Sequence, residues 1–446
     1  MNALSPEFLV AQLGELVRRP LWVAYSGGRD SHVLLHLAVR AGLDVRAVHV
    51  DHGLHAASDD WSRHCGEVCR ELGVAVTQRR VDVENTAEGG LEAAAREARY
   101  GVFETLLEPG QVLLTAQHRE DQAETVLLRL LRGAGARGLA AMPRRRKLGR
   151  GLLLRPLLDV DREAINRYAA AQGLQWVDDP SNADTLADRN YLRHRALPVL
   201  RERWPDVDAR LARTAERAAE DAALIRDLAE LDLAACSDGA NLRVDALRGL
   251  SARRRRNAVR RWMHGHGCRP PGARRLTDGL DALLDAGADR EPVLRWRDGV
   301  VRRYRQRLHL LRREPGPPPE TPLQWDLHGV LLIPGMGRLT TSRSGAGVRL
   351  RAELAGRSDV RVRFRRGGER IRPAGAPHHR ALKTLFQEAG IPPWERRRVP
   401  LVYIGGELAC VGERWVAEGF AAPGDDPGLR LRWVPEPAGF AGWEEE

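Results

Sequence analysis

The sequence predicts an α/β protein with a parallel-sheet N-terminal domain, followed by a helical domain and a small α+β C-terminal domain. Three observations carry this reading. Residues 21 to about 130 alternate β-type apolar runs with helical stretches, the pattern of βαβ units around a parallel sheet. From about 206 the chain turns to Ala-, Leu- and Arg-rich helices. Past the stiff stretch EPGPPPETP at 314–322, strand-like runs with Gly turns take over. A chain of 446 residues is too long for one core. The expected divisions are 1–205, 206–313, a linker with the start of the next unit at 314–345, and a C-terminal domain at 346–435.

In order, strands are expected at 21–25, 44–50, 74–83 and 111–116, and helices at 31–42, 58–72, 89–107 and 119–132. The Gly- and Arg-rich segment after 133 reads as a mobile loop, and LLLRPLLDV (152–160) as a return to the sheet. A helix at 161–172 follows, then a polar loop, DPSN (179–182), opening a helix near 188. The 206–312 segment is expected to be all helical, ending in a short hairpin around 292–311. The C-terminal domain is expected to hold a single helix at 378–389.

The formal charge of +11 and the pI near 10.1 suggest a polyanionic partner. Nearly all basic residues are Arg; Lys147 and Lys383 are the only lysines. Five scattered cysteines imply no disulfide framework and fit a reducing cytosol. No basic n-region opens the chain and no apolar run approaches a membrane span, so a cytoplasmic protein without membrane contact is expected.

The chemistry begins at Ser26-Gly27-Gly28-Arg29-Asp30-Ser31, after the first strand and opening a helix. Glycines free the turn's backbone, and the amides of the turn and helix start converge where the helix dipole favours an anion. Asp30 is placed to hold a metal ion that bridges phosphates. No Gly-Lys-Ser/Thr closes the loop, so it is not of the Walker type. In parallel sheets ligands bind outside the C-terminal strand ends. Asp51 and the Thr115–His118 segment fall at those ends too, and Asp51 is a candidate for a base or ribose. Asp121 and Glu124 project from the first turn of the next helix, able to bind Mg²⁺ or an ammonium group, or merely to complement the helix dipole. Arg96, Arg99 and Tyr100 share one helix face, and Arg189 and Arg193 another. Both suit phosphate, and both also suit a solvated surface. His49, His52, His55, His64, Cys65 and Cys69 cluster in sequence, but the spacing is too loose for a zinc site.

SGGRDS resembles the SGGxDS pyrophosphate loop of the PP-loop ATPases. With HVDHGL, EAAAREARY, the TAQHREDQAET run at 115–125, RPLL (155–158), DPSN and DRNYLRH (188–194), and with RFRRGGERIRP at 363–373 leading to VGERWV at 411–416, the chain resembles the tRNA(Ile)-lysidine synthetase family over nearly its whole length. The family usually has TAHHxDDQAET; here Gln117 replaces the first His and Glu120 the first Asp.

The resemblance implies ATP and Mg²⁺ as cofactors, and L-lysine and a CAU-anticodon tRNA(Ile) as partners, with a homodimer left open. It implies ATP binding by Ser26 to Ser31, Asp51 and His118, and lysine binding by Asp121 and Glu124. Asp30 and Asp121 would hold Mg²⁺. Asp30, Asp121, Glu124, Arg96 and Arg193 would serve catalysis. Arg99, Arg189, Arg253, Arg254, Arg365, Arg366, Arg380 and Lys383 would contact tRNA, together with RRRKLGR (144–150). Spacing does not decide which arginines meet ATP and which meet RNA. The competing expectations are a PP-loop tRNA thiolase, which needs paired cysteines near the ATP site, and a tRNA-binding protein without catalysis.

Overall fold

A computed structural model describes residues 4–53, 57–83, 90–178, 187–287, 290, 292–312, 316–343, 349–423 and 428–435. The chain forms two compact units, Met1–Leu224 and Ile225–Glu446.

The first unit opens with α1 (Pro6–Leu13), capped by the Ser5 hydroxyl. A six-stranded sheet follows, built from β1 (Leu21–Ala24), β2 (Val45–Asp51), β3 (Ala75–Arg80), β4 (Val112–Leu114), β5 (Arg145–Leu148) and β6 (Gly151–Leu154) in the order β3-β2-β1-β4-β6-β5. All pairings are parallel except β5 with β6. The central strands LWVA and VLL are almost continuously apolar because helices cover both faces. Those helices are α2 (Arg29–Arg40), α3 (Ser58–Glu71), α4 (Gly90–Leu106), α5 (Arg119–Leu131), α6 (Ala136–Leu139) and α7 (Arg162–Ala171). α2 buries Val33, Leu34, Leu35, Leu37 and Ala38 in the main core. Then come α8 (Asp188–Tyr191), one π-helical turn at Leu192–Ala196, and α9 (Leu197–Arg203).

The segment after 133 is not the expected loop. It holds α6 and the β5–β6 hairpin, whose basic strand RRKL pairs antiparallel with GLLL at the sheet edge. Edge strands tolerate charge on their outer face, which hides them from a search for apolar runs. DPSN at 179–182 lies outside the described residues.

The 30-residue α10 (Val207–Cys236) runs through the division between the units. The second unit continues with β7 (Ser237–Asp238), β8 (Asn241–Arg243), α11 (Val244–Gly249), α12 (Ala252–Gly265), α13 (Ala273–Asp285), β9 (Val293–Trp296), β10 (Gly299–Tyr304) and β11 (Arg307–Leu311). The expected hairpin around 292–311 is present as β9, β10 and β11, while β7 and β8 correct the expectation of helices before it. The five strands form one sheet, β7-β8-β11-β10-β9. Two of them are very short, and Arg295, Arg302, Arg303 and Arg307 interrupt the apolar runs of the others. α12 and α13 pack Val259, Trp262, Leu276 and Leu280 against this sheet.

The final stretch of the chain carries β12 (Leu323–Gln324), β13 (Val330–Ile333), β14 (Gly337–Ser342), β15 (Leu350–Arg351), β16 (Val360–Phe364), β17 (Arg370–Ile371), β18 (Arg380–Ala381), α14 (Leu382–Glu388), α15 (Pro393–Arg396), β19 (Pro400–Ile404), β20 (Glu407–Val411), β21 (Trp415–Val416) and β22 (Gly428–Pro435). They make a five-stranded sheet, a four-stranded sheet and a two-stranded ribbon. The expected helix at 378–389 is α14, shorter because 380–381 pair as a strand. Among the described residues no helix is long and apolar enough to cross a membrane.

Candidate active site

The site lies where β1, β2 and β4 end. After β1 the chain turns through Ser26–Gly28 into α2. Gly27 has φ +82°, and a Cβ there would meet Cys65 Sγ at 2.9 Å. Glycine is therefore required on both conformational and steric grounds. Gly28 is extended, with φ −76°, and a Cβ would meet Ser26 Oγ at 3.5 Å and Val177 O at 4.0 Å, both ordinary contacts. Its missing side chain serves close approach rather than backbone freedom. Ser31 Oγ donates to Gly28 O at 2.9 Å and accepts from Ser26 N at 3.2 Å, so it ties the loop to itself.

Asp30 faces His118, the N-cap residue of α5. His118 Nε2 lies 3.4 Å from Asp30 Oδ2 and 3.5 Å from Asp121 Oδ2, within ion-pair reach but without a formed hydrogen bond. Its Nδ1 is 2.9 Å from Glu120 Oε2. Asp121 also accepts the backbone N–H of His118 at 3.0 Å, one half of a capping box. Glu120 reaches further: both its oxygens accept the Arg162 backbone N–H at 3.1 Å, at the start of α7. The extra methylene relative to Asp makes that span.

The electrostatics follow from this packing. Burial opposes charge on His118, but the Asp121 charge and the contacts with Asp30 and Glu120 overcome it and raise its pKa to about 10. Burial likewise works against ionised Asp30, yet His118, Arg29 and Arg162 hold it at about 2. The imidazolium is thus a fixed cation between carboxylates.

Glu124 is 1% exposed. It accepts from Arg189 Nε at 2.8 Å and from Arg193 Nε at 2.6 Å and Nη2 at 2.9 Å. Both arginines also reach Asp121 Oδ1, at 2.9 and 3.2 Å. Their i, i+4 spacing brings two guanidiniums onto two acids one α5 turn apart, beside the π-helical turn that interrupts the helix; such turns gather at functional sites.

Gln117 Oε1 accepts from Thr115 Oγ1 at 2.5 Å and from Arg155 Nε at 3.1 Å. Two donors on one oxygen suit an amide carbonyl and not a single imidazole nitrogen. Arg155, from the RPLL motif, is 2% exposed and was given no role by sequence reasoning. The signal was a charged residue inside an apolar return strand.

Other expected residues make their contacts outside this constellation. Asp51 caps its own strand end, accepting Gly53 N–H at 2.8 Å. Arg99 contacts His52, with 2.8 Å between Nη2 and Nε2. Arg96 lies over the Tyr100 ring, 4.9 Å from its centroid. In the second unit Arg254 pairs with buried Asp232, and Arg380 with Glu388. Arg366 donates to Glu320 O at 2.7 Å, and Arg365 lies 3.7 Å from Glu369. Arg253 and Lys383 are exposed. Cys65 and Cys69 are buried beneath the loop, and burial pushes their thiols up to about 12 and 11.

Asp30 Oδ2 and Asp121 Oδ2 both face His118 Nε2, and both are hard donors. Among the described residues no cluster of three or more His, Cys, Asp or Glu forms a metal cage. Two carboxylates beside a phosphate loop fit Mg²⁺, which takes one or two carboxylates with substrate phosphates.

Three family models match the chain: a PP-loop domain at 7–200, a TilS substrate binding domain at 242–309 and a TilS substrate C-terminal domain at 360–433. The tRNA(Ile)-lysidine synthase of Alkalilimnicola ehrlichii is 48% identical over 434 residues, 96% of each chain. That of Methylococcus capsulatus is 43% identical over 93% of this chain and 96% of its own. Among solved structures, a U34-tRNA thiolase from Methanococcus maripaludis aligns over 48% of this chain and 78% of its own, at 16% identity and a TM-score of 0.41.

Proposed function

The chain belongs to the tRNA(Ile)-lysidine synthase family, and on that premise we propose how its N-terminal site joins L-lysine to tRNA(Ile) with ATP. The protein is a ligase that modifies tRNA. The acceptor is C2 of the wobble cytidine in a CAU anticodon. That carbon is unreactive because its oxygen leaves poorly. Attack of O2 on the ATP α-phosphate breaks the bond to pyrophosphate and leaves an adenylated cytidine. The lysine ε-amine then bonds to C2, and the C2–O bond breaks to release AMP.

The PP-loop amides and the α2 start receive the phosphates. Asp30 and Asp121 would hold Mg²⁺, which when bound offsets charge on the departing pyrophosphate. The lysine amine is an ammonium at neutral pH, its reference pKa being about 10.4. Asp121 and Glu124 receive it and take up its proton. Arg189 and Arg193 hydrogen-bond those carboxylates and position them.

The observation that carries this reading is the pair of buried Glu124 and partly buried Asp121, linked through His118 to the Asp30 of the phosphate loop. The thiolase alternative is weakened by the buried, protonated Cys65 and Cys69. The test is incubation with ATP, Mg²⁺, radiolabelled lysine and a CAU-anticodon tRNA(Ile) transcript, with a methionine tRNA as control. Label entering only the isoleucine tRNA, and lost in Asp30→Ala, is the expected result. AMP release that depends on tRNA without label would return the thiolase reading. Neither label nor AMP would favour RNA binding without catalysis.

A further inference from the structure

A second charged cluster adjoins this site and is not used by the steps above. Tyr100 on α4 is half-buried and has guanidiniums on several sides. Arg96 lies 4.9 Å and Arg146 5.0 Å from its ring centroid, Arg96 Nη2 donates to its hydroxyl at 3.4 Å, and the Arg155 charge acts on the phenol from behind. Arg129 stands near Arg96. Among the described residues no carboxylate pairs with Arg96, Arg129, Arg146 or Arg155. Their other hydrogen bonds go to neutral oxygens: Gly138, Ala141, Pro143 and Lys147 carbonyls and the Gln117 amide.

Four cations gathered without an anion repel one another. Burial lowers the pKa of Arg129 and Arg155, and repulsion from Arg96 lowers both further. Burial would raise the Tyr100 phenol, but Arg96, Arg155 and Arg146 reverse it, and the net shift is downward. A bound anion would relieve all of this. The arrangement is also built at some cost. Ala141 has φ +48°, a strained value for a residue with a Cβ. Its turn is held by Gln122, which pairs with Met142 N and O at 2.9 and 3.0 Å, by Arg129 on the Gly138 and Ala141 carbonyls, and by Arg155 on Pro143 O. That turn leads into β5 and sets Arg146 over Tyr100.

We propose that Arg96 and Arg146, stacked on Tyr100 and backed by the buried Arg155 and by Arg129, form a phosphate site for an RNA phosphodiester flanking the reacting base. The assignment rests on the lysidine-forming reading. ATP phosphates already have the loop amides. The target cytidine must leave its stack to react, so its flanking phosphates need a grip close by. Contact runs from Asp30 to His118, and from its neighbour Gln117 to Arg155. The two sites are therefore adjacent, while their cations are separate. Arginine over an aromatic ring presents a planar fork to phosphate, as bidentate recognition requires.

The test measures binding of a labelled CAU anticodon stem-loop by fluorescence anisotropy at several salt concentrations, and ATP binding by calorimetry. It compares the full-length protein with Arg146→Gln, Arg96→Gln, the double variant and Arg146→Lys. Each Gln variant should weaken RNA binding roughly tenfold. Each should also lower the slope of log affinity against log salt by about 0.7, the value for one phosphate contact on a single strand. ATP affinity should stay within about twofold and melting temperature should not move; Arg146→Lys should restore the slope. Unchanged RNA affinity and slope in the double variant would overturn the proposal. So would a loss of ATP affinity without a loss of RNA affinity, which would make this a nucleotide site. If the wild type grips the stem-loop with that arginine dependence but incorporates no lysine, the lysidine reading fails and the phosphate site stands.

Discussion

Gly27 and Gly28 sit side by side in the same loop yet answer to different demands. Gly27→Ala forces a Cβ into left-handed backbone and against Cys65 Sγ. We expect a loss of about 1–3 kcal/mol, read by chemical denaturation. Adding Cys65→Ala should recover only the steric part. Gly28→Ala should leave stability within about 0.5 kcal/mol while weakening ATP binding, because its backbone is ordinary and its neighbourhood open.

His118 makes a prediction about pH. Its folded pKa, raised to about 10, exceeds the unfolded reference of about 6.5. The stabilisation it brings is therefore fully present below about pH 6.5 and is lost as pH rises through about 10. The melting-temperature gap between wild type and His118→Gln should be widest near pH 6 and should shrink towards pH 10.5. Asp30 runs the other way. Its folded value of about 2 lies below the unfolded one, so its contribution holds above about pH 4 and fades as pH falls through 2.

Pairs of elements are joined by a few polar side chains whose loss is felt in both partners. Glu120 ties the α5 start to the α7 start through the Arg162 N–H. Glu120→Asp, the residue usual in the family motif, is too short to hold both His118 and Arg162. It should cost about 1 kcal/mol by denaturation. Glu124 ties α5 to the helix that begins at Asp188. Glu124→Gln removes a buried charge facing two guanidiniums and should cost about 3 kcal/mol. It should also abolish lysine incorporation while tRNA-dependent pyrophosphate release and adenylated tRNA persist, a split that a merely unstable protein would not give. The sequence placed α5 and its acids correctly, since apolar period and strand end mark them locally. It missed the β5–β6 hairpin, because a basic edge strand carries no apolar signal of its own.

Across the whole molecule the charge of +11 is carried largely by arginine. Affinity for tRNA should fall steeply with salt, and Arg253→Gln and Lys383→Gln should each reduce the slope by up to about 0.9. Arg254 and Arg380 already neutralise Asp232 and Glu388, so their substitution should move the slope less.

The glycine turn into α2 and the two acids at the start of α5 were legible along the chain, because contiguous residues map directly onto a turn, a strand end or one helix face. The kind of reaction came from the resemblance of the motifs to a known family. The partners of those residues were not legible. That Arg189 and Arg193 clamp Asp121 and Glu124 rather than stand free for phosphate depends on residues more than sixty positions apart in the chain. That Arg155 anchors Gln117, and that His118 carries a fixed charge, depends on burial and on neighbours from other elements. Local patterns specify which groups exist and which way they face. Charge state and pairing are set by what the fold brings within a few ångströms, where water is excluded and Coulomb terms grow.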